Sequence, residues 1–162
     1  YEWKSVKAVV VIPGKLIDEL NSFTLLYKNG TDMKIDTANS DKIYGDSGRL
    51  TRRTSTEEEI VYRTPLEMTS YQITSYFWQG EPTVEFSVYG SADGITYQPL
   101  SMEKINVGPQ LPDSTYWSKI IYQSSSIPSG LTYLKIVFLN TSVNPWNPQI
   151  GKVEIDFGRN TN

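Results

Sequence analysis

The chain contains no cysteine and no histidine. The first absence excludes a disulfide framework and a thiolate metal site. The second excludes a Ser-His-Asp triad, an imidazole general base and a histidine-ligated zinc. No apolar run approaches the roughly 18 residues a membrane-spanning helix needs. There is no basic excess either: 15 Lys and Arg stand against 18 Asp and Glu, a formal net charge of -3. That argues against a general nucleic-acid or anionic-membrane role. No signal peptide is visible, and the chain opens on Tyr1, as expected of a fragment of a longer protein.

What is present is aromatic. Hydrophobic residues make up only 38% of the 162 residues, but 11 Tyr and 4 Trp supply large buried areas. The length fits one domain with its own core. We expect a single unit over residues 1–162, with its core at about 7–158.

No window shows a sustained helical period, whereas short alternating stretches recur between turns. Lys7–Ile12 reads as a first strand closed by Pro13-Gly14, and Leu16–Asn21 as a helical turn or polar link into Ser22–Tyr27. Lys28-Asn29-Gly30 reads as a turn and Met33–Asp36 as a short strand. Ile60-Val61-Tyr62 is another strand. In Met68–Tyr76 the pattern sets Met68, Ser70, Gln72, Thr74 and Tyr76 on one face, opposite Tyr71, Ile73 and Ser75. Thr83–Gly90 alternates most clearly, with Val84, Phe86 and Val88 on one side and Glu85, Ser87 and Tyr89 on the other. Ser91-Ala92-Asp93-Gly94 is a turn, after which the chain resumes at Ile95–Tyr97. Lys104–Val107, Tyr116–Tyr122, Thr132–Leu139 and Gly151–Phe157 complete the set. The expected fold is an all-β antiparallel sandwich of roughly eight to ten main strands.

Several of these segments resemble galactose-binding-like jelly-roll domains. Ser91-Ala92-Asp93-Gly94-Ile95-Thr96-Tyr97 is similar to their S-x-D-G-x-x-Y hairpin, Leu131–Phe138 to their Y-L-K-I-x-F strand, and Gln149–Phe157, with Glu154, to their closing strand. Asp36–Arg53 followed by Ile60-Val61-Tyr62 resembles accessory modules of secreted bacterial polysaccharide-degrading enzymes. The resemblance spans about residues 16–157. It implies a jelly-roll carbohydrate-binding module without catalysis, often with a structural calcium, attached to a catalytic domain and working outside the cell. The same fold also serves as a structural or protein-interaction module packed on a neighbouring domain, so the fold alone does not settle function.

The residues offer specific candidates. Trp146 sits in Asn144-Pro145-Trp146-Asn147-Pro148, a loop-building context in which an indole can cover the apolar face of a sugar while Asn147 bonds its hydroxyls. The alternative is that Trp146 plugs one end of the sandwich. Trp78 shares the parity of Tyr76 and is core if that residue faces inward, or a loop residue if the strand ends early. Trp117 belongs to the core or its rim, and Trp3 packs on the N-terminal strand. Tyr44, Arg49, Arg52 and Arg53 form a locally basic group suited to an acidic polysaccharide. The competing reading pairs Arg52 or Arg53 with Glu57, Glu58 or Glu59. Asp41 and Asp46, in a loop dense in Asp and Asn, meet Glu154 around a calcium if the loop folds back on the last strand, as the resemblance implies. An Asx-turn loop needs no ion. Asp113, Glu85 and Glu103 are acidic but form no recognisable hydrolytic pair.

Overall fold

The computed structural model describes residues 13–79, 86–110, 117–139 and 144–158. Two antiparallel sheets form a sandwich. The seven-stranded sheet contains β1 (Gly14–Asp18), β3 (Met33–Asp36), β4 (Arg49–Arg52), β6 (Met68–Trp78), β9 (Glu103–Pro109), β10 (Trp117–Ser124) and β12 (Gln149–Phe157). Its order is β3-β4-β12-β6-β10-β9, with β1 also paired to β12. The five-stranded sheet runs β2 (Lys28–Asn29), β5 (Glu58–Arg63), β11 (Tyr133–Phe138), β7 (Ser87–Ser91) and β8 (Gln98–Pro99). Most neighbours are distant in sequence, which is jelly-roll wiring rather than a meander.

One core joins the sheets. Leu50, Ile73, Ile120, Ile150, Val153 and Ile155 from the larger sheet meet Ile60, Tyr62, Val88, Leu134 and Ile136 from the smaller. Ile136 is 0% exposed. Truncating such a residue to alanine removes about 2–5 kcal/mol.

The alternation explains which face each residue takes. Along β6, Tyr71, Ile73 and Phe77 enter the core. Ser70, Gln72, Thr74, Tyr76 and Trp78 therefore point outward. Met68 departs from the expected parity and is buried in the core. The register against β12 slips between Asp156 and Phe157, and the extra residue switches the side chain to the other face.

Other expectations change as well. Lys28 and Asn29 are not a turn; they form a short strand paired with Val61 and Ile60. Residues 22–27 make bends and a turn, and β1 occupies Gly14–Asp18, overlapping the Leu16–Asn21 stretch where a helical turn or link was expected. The strand after the 91–94 turn starts at Gln98, not Ile95. Lys7–Ile12, Trp3, Glu85, Asp113 and the start of the Thr83–Gly90 strand lie outside the described residues.

Candidate functional site

Three indoles converge at one end of the larger sheet, on its outer face. Trp78 ends β6 and Trp117 begins β10, and the register places them directly opposite one another. Their ring centroids are 5.7 Å apart at 72°. Trp146 arrives from the loop before β12 and meets Trp78 at 5.5 Å and Trp117 at 5.8 Å. Trp117 is buried, while Trp78 and Trp146 are half-buried. With Ile43 and Tyr76 they form an apolar cluster separate from the main core. Trp146 therefore does not plug the space between the sheets.

These rings line a cleft of about 410 Å³ with Ile43, Ala38, Asn39, Lys34, Asp36 and Gln149. That volume lies within the range of small-ligand sites, about 300–1,000 Å³. The lining pairs apolar ring surface with two amides, one ammonium and one carboxylate. Lys34 and Asp36 reach it because Met33 and Ile35 on the same strand turn to the core.

Part of the cleft wall is the segment from Thr37 to Gly48, a strap on the outer face whose Ala38, Asn39 and Ile43 line the cleft. Tyr44 stacks on Tyr76 at 5.9 Å and 27°, and Lys119 Nζ lies 4.8 Å from the Tyr44 ring. The Tyr44 hydroxyl donates to the Gly108 carbonyl, and its N–H donates to Gln110 Oε1 at 2.6 Å. The Tyr76 hydroxyl donates to Asp46 Oδ2 at 2.9 Å. Burial raises the Asp46 pKa, against the opposing pull of Tyr76, Gly48 and Arg49.

Arg49 lies beneath the strap, 0% exposed. Its guanidinium donates to the carbonyls of Asp46 and Ala38 and, through Nε, to Gln149 Oε1 at 2.7 Å. Asp36 lies 3.8 Å from Nη2. Gln149 Nε2 in turn donates to the Trp146 carbonyl at 3.0 Å and to Asp36 Oδ2 at 3.2 Å. One buried cation thus ties the strap to the Trp146 loop.

This corrects the expected roles of three residues. Arg49 and Arg52 are both 0% exposed and present no donor to a ligand. Leu50 enters the core, so Arg52, two residues on, also points inward; it closes the sandwich end by donating to the carbonyls of Thr56 at 2.9 Å and Asn147 at 3.1 Å. Burial lowers the Arg52 pKa, and the charge of Glu58 opposes that shift. Asn147 is 1% exposed, and its Oδ1 accepts the Trp78 N–H at 2.9 Å, so it positions the two tryptophans. Arg53 is exposed, and its Nε donates to the Met33 carbonyl at 3.2 Å.

The structure separates the expected calcium ligands. Asp46 lies on the strap and Asp41 is exposed at the short 3-10 turn Ser40–Lys42. Glu154 lines a different depression of about 230 Å³ at the far end of the same sheet face, with Lys15, Gln72, Glu103, Gln123 and Asp156. Among the described residues no three acidic side chains gather closely enough to hold a metal ion. The Asp41, Asp46 and Glu154 set does not fit a shared cation. Glu103 is exposed on edge strand β9, and the other two acids, Glu85 and Asp113, lie outside the described residues.

Sequence reasoning missed Gln149, Lys34, Asp36, Asn39 and Ile43. Period-2 parity across β3 and β12 was the signal for the first three; the strap residues left none, because their approach to the tryptophans is a long-range contact.

No protein-family model and no curated protein matches the chain. A solved structure described as that of CBM35 from Paenibacillus barcinonensis is similar over 88% of this chain and 97% of that chain, with 14% sequence identity and a TM-score of 0.46.

Proposed function

We propose that the domain is a non-catalytic carbohydrate-binding module whose ligand occupies the tryptophan cleft on the outer face of the seven-stranded sheet. The observation that carries this reading is the convergence of Trp78, Trp117 and Trp146 outside the main core, with two of the three rings half-exposed beside Lys34, Asp36, Asn39 and Gln149. A pyranose offers apolar C–H faces and a rim of hydroxyls, and this lining answers both. Lys34 is the cleft's cation and favours a sugar acid over its neutral counterpart. In this reading the module holds a polysaccharide-degrading enzyme, carried in the same longer protein outside a bacterial cell, on its substrate. A structural calcium is a separate proposal, independent of the cleft, read as a melting temperature that rises with calcium and falls with chelator.

The test is calorimetry against a panel of neutral and acidic oligosaccharides, with calcium and again with chelator. Trp146→Ala is expected to lower affinity by about 1–3 kcal/mol, roughly 5- to 150-fold, in a folded protein. Unchanged affinity in that variant rejects the cleft. Absence of binding to every glycan in the panel favours the alternative of a structural or protein-interaction module on a neighbouring domain.

A further inference from the structure

The outer face of the smaller sheet is not the Ser, Thr and Glu surface that a solvated antiparallel face carries. Four tyrosines and three cations lie on it. Tyr27 meets Tyr133 edge-on at 5.4 Å and 69°. The Arg63 guanidinium lies 5.5 Å from the Tyr133 ring and 5.9 Å from Tyr27. Lys135 Nζ lies 4.2 Å from Tyr97 and 5.0 Å from Tyr89.

Strand register makes this one surface. Arg63 stands opposite Tyr133, Lys135 stands between Val61 and Tyr89, and Lys28 stands opposite Val61. The 91–97 turn braces the middle. Gly94 has φ +76°, and a Cβ there would come within 2.9 Å of the Tyr133 ring. The patch is open to solvent: Tyr27 and Leu25 are each 50% exposed, and Ile95, next to Gly94, is 84% exposed.

Charge selects the occupant. Glu59 pairs with Lys135 at 3.8 Å, and Asp93 is engaged by its own turn, accepting the Ile95 and Thr96 N–H groups at 2.8 Å. Among the described residues Lys28 and Arg63 have no carboxylate partner, although the chain as a whole is acidic at -3. The exposed Tyr27 ring, with half-buried Tyr89 and Tyr97 and two cations that lack carboxylate partners on the same face, suits a chain of sugars that bears carboxylates or sulfate esters.

We infer that the outer face of the five-stranded sheet is a second glycan site, binding a polyanionic polysaccharide through Lys28 and Arg63 with Tyr27 as its stacking ring. This site lies on the side of the sandwich opposite the tryptophan cleft and does not depend on it.

Affinity electrophoresis of the whole chain tests it, with polygalacturonate, dextran sulfate, neutral dextran and polyglutamate in separate gels. We expect several-fold retardation by polygalacturonate or dextran sulfate at low salt, abolished at high salt, with little effect of neutral dextran or polyglutamate. Retardation by one acidic glycan alone assigns carboxylate or sulfate as the recognised group. In the Trp146→Ala background, where the cleft is silenced, Lys28→Ala with Arg63→Gln removes the remaining retardation, and Tyr27→Ala weakens it. These side chains are exposed, so the variants fold. Trp146→Ala alone retains it. No retardation by either acidic glycan, equal retardation by polyglutamate, an unaffected double variant or loss in Trp146→Ala would each overturn the assignment.

Discussion

Arg49 Nε donates to Gln149 Oε1 at 2.7 Å, and through that bond the strap and the Trp146 loop share one buried cation. The hydrogen-bond accounting around it is tight: two strap carbonyls, one amide oxygen and a carboxylate neighbour. Arg49→Met is therefore expected to cost about 2–4 kcal/mol in urea unfolding, because it leaves buried acceptors without donors. Glycan affinity in the cleft falls with it, since both walls lose their tie. Stability equal to that of the parent chain would show that the strap is held by Tyr44 alone.

Trp117 and Trp146 differ in exposure and should differ in energetic role. Trp117 is 6% exposed beneath the other two rings. Trp117→Ala should destabilise by about 3–5 kcal/mol, as expected for a buried tryptophan. Trp146→Ala removes a half-exposed ring and should cost distinctly less. Chemical denaturation of both variants makes the comparison. A larger loss for Trp146 would contradict the placement of Trp117 at the bottom of the cluster.

Asp46 gives a pH dependence with a definite sign. Its folded pKa is raised above the ordinary 3.8, chiefly by burial. Its favourable contribution is thus complete below 3.8 and is lost as pH rises through the raised folded value. Above that value the ionised carboxylate works against the fold. Asp46→Asn retains an oxygen to accept the Tyr76 hydroxyl and removes the charge. Its melting temperature, relative to the parent chain, should be higher at neutral pH than at about pH 3.5. The opposite order would mean that Arg49 and Tyr76 outweigh desolvation.

Gly94 combines a left-handed backbone, φ +76°, with the Tyr133 ring at 2.9 Å from any added Cβ. Gly94→Ala should destabilise by about 1–3 kcal/mol through strain and displacement of that ring. Thermal unfolding measures it. A neutral effect would show that the turn can move off Tyr133.

Much of this architecture was legible from alternation. Phe86 and Val88 pointing to the core, the strands at Tyr133–Phe138 and Gln149–Phe157, and the tight turn at Ser91–Gly94 all follow from a two-residue period and turn chemistry. Parity also placed Trp78 with Tyr76, leaving open which face they share. That face was decided by the partners of β6: Ile73 and Phe77 found apolar residues across the sandwich, so Tyr76 and Trp78 turned outward. Met68 escaped the rule because one slipped register with β12 reverses a side chain, and register is a property of two strands, not of one.

The arginines show the deeper limit. In sequence, Arg49 and Arg52 read as an exposed basic group, because arginine is ordinarily solvated. The fold instead surrounds both with carbonyl oxygens from segments around a hundred residues away, at Asn147 and Gln149, as well as from nearby turns. The sequence by itself determined that strands would alternate and that the chain carries four tryptophans with no histidine or cysteine chemistry. Only the tertiary structure decided that three of those indoles meet, that Arg49 is buried beneath the strap, and that Lys28 and Arg63 share the outer face of the smaller sheet. Local periodicity sets which way a side chain points; long-range strand pairing sets what it meets there.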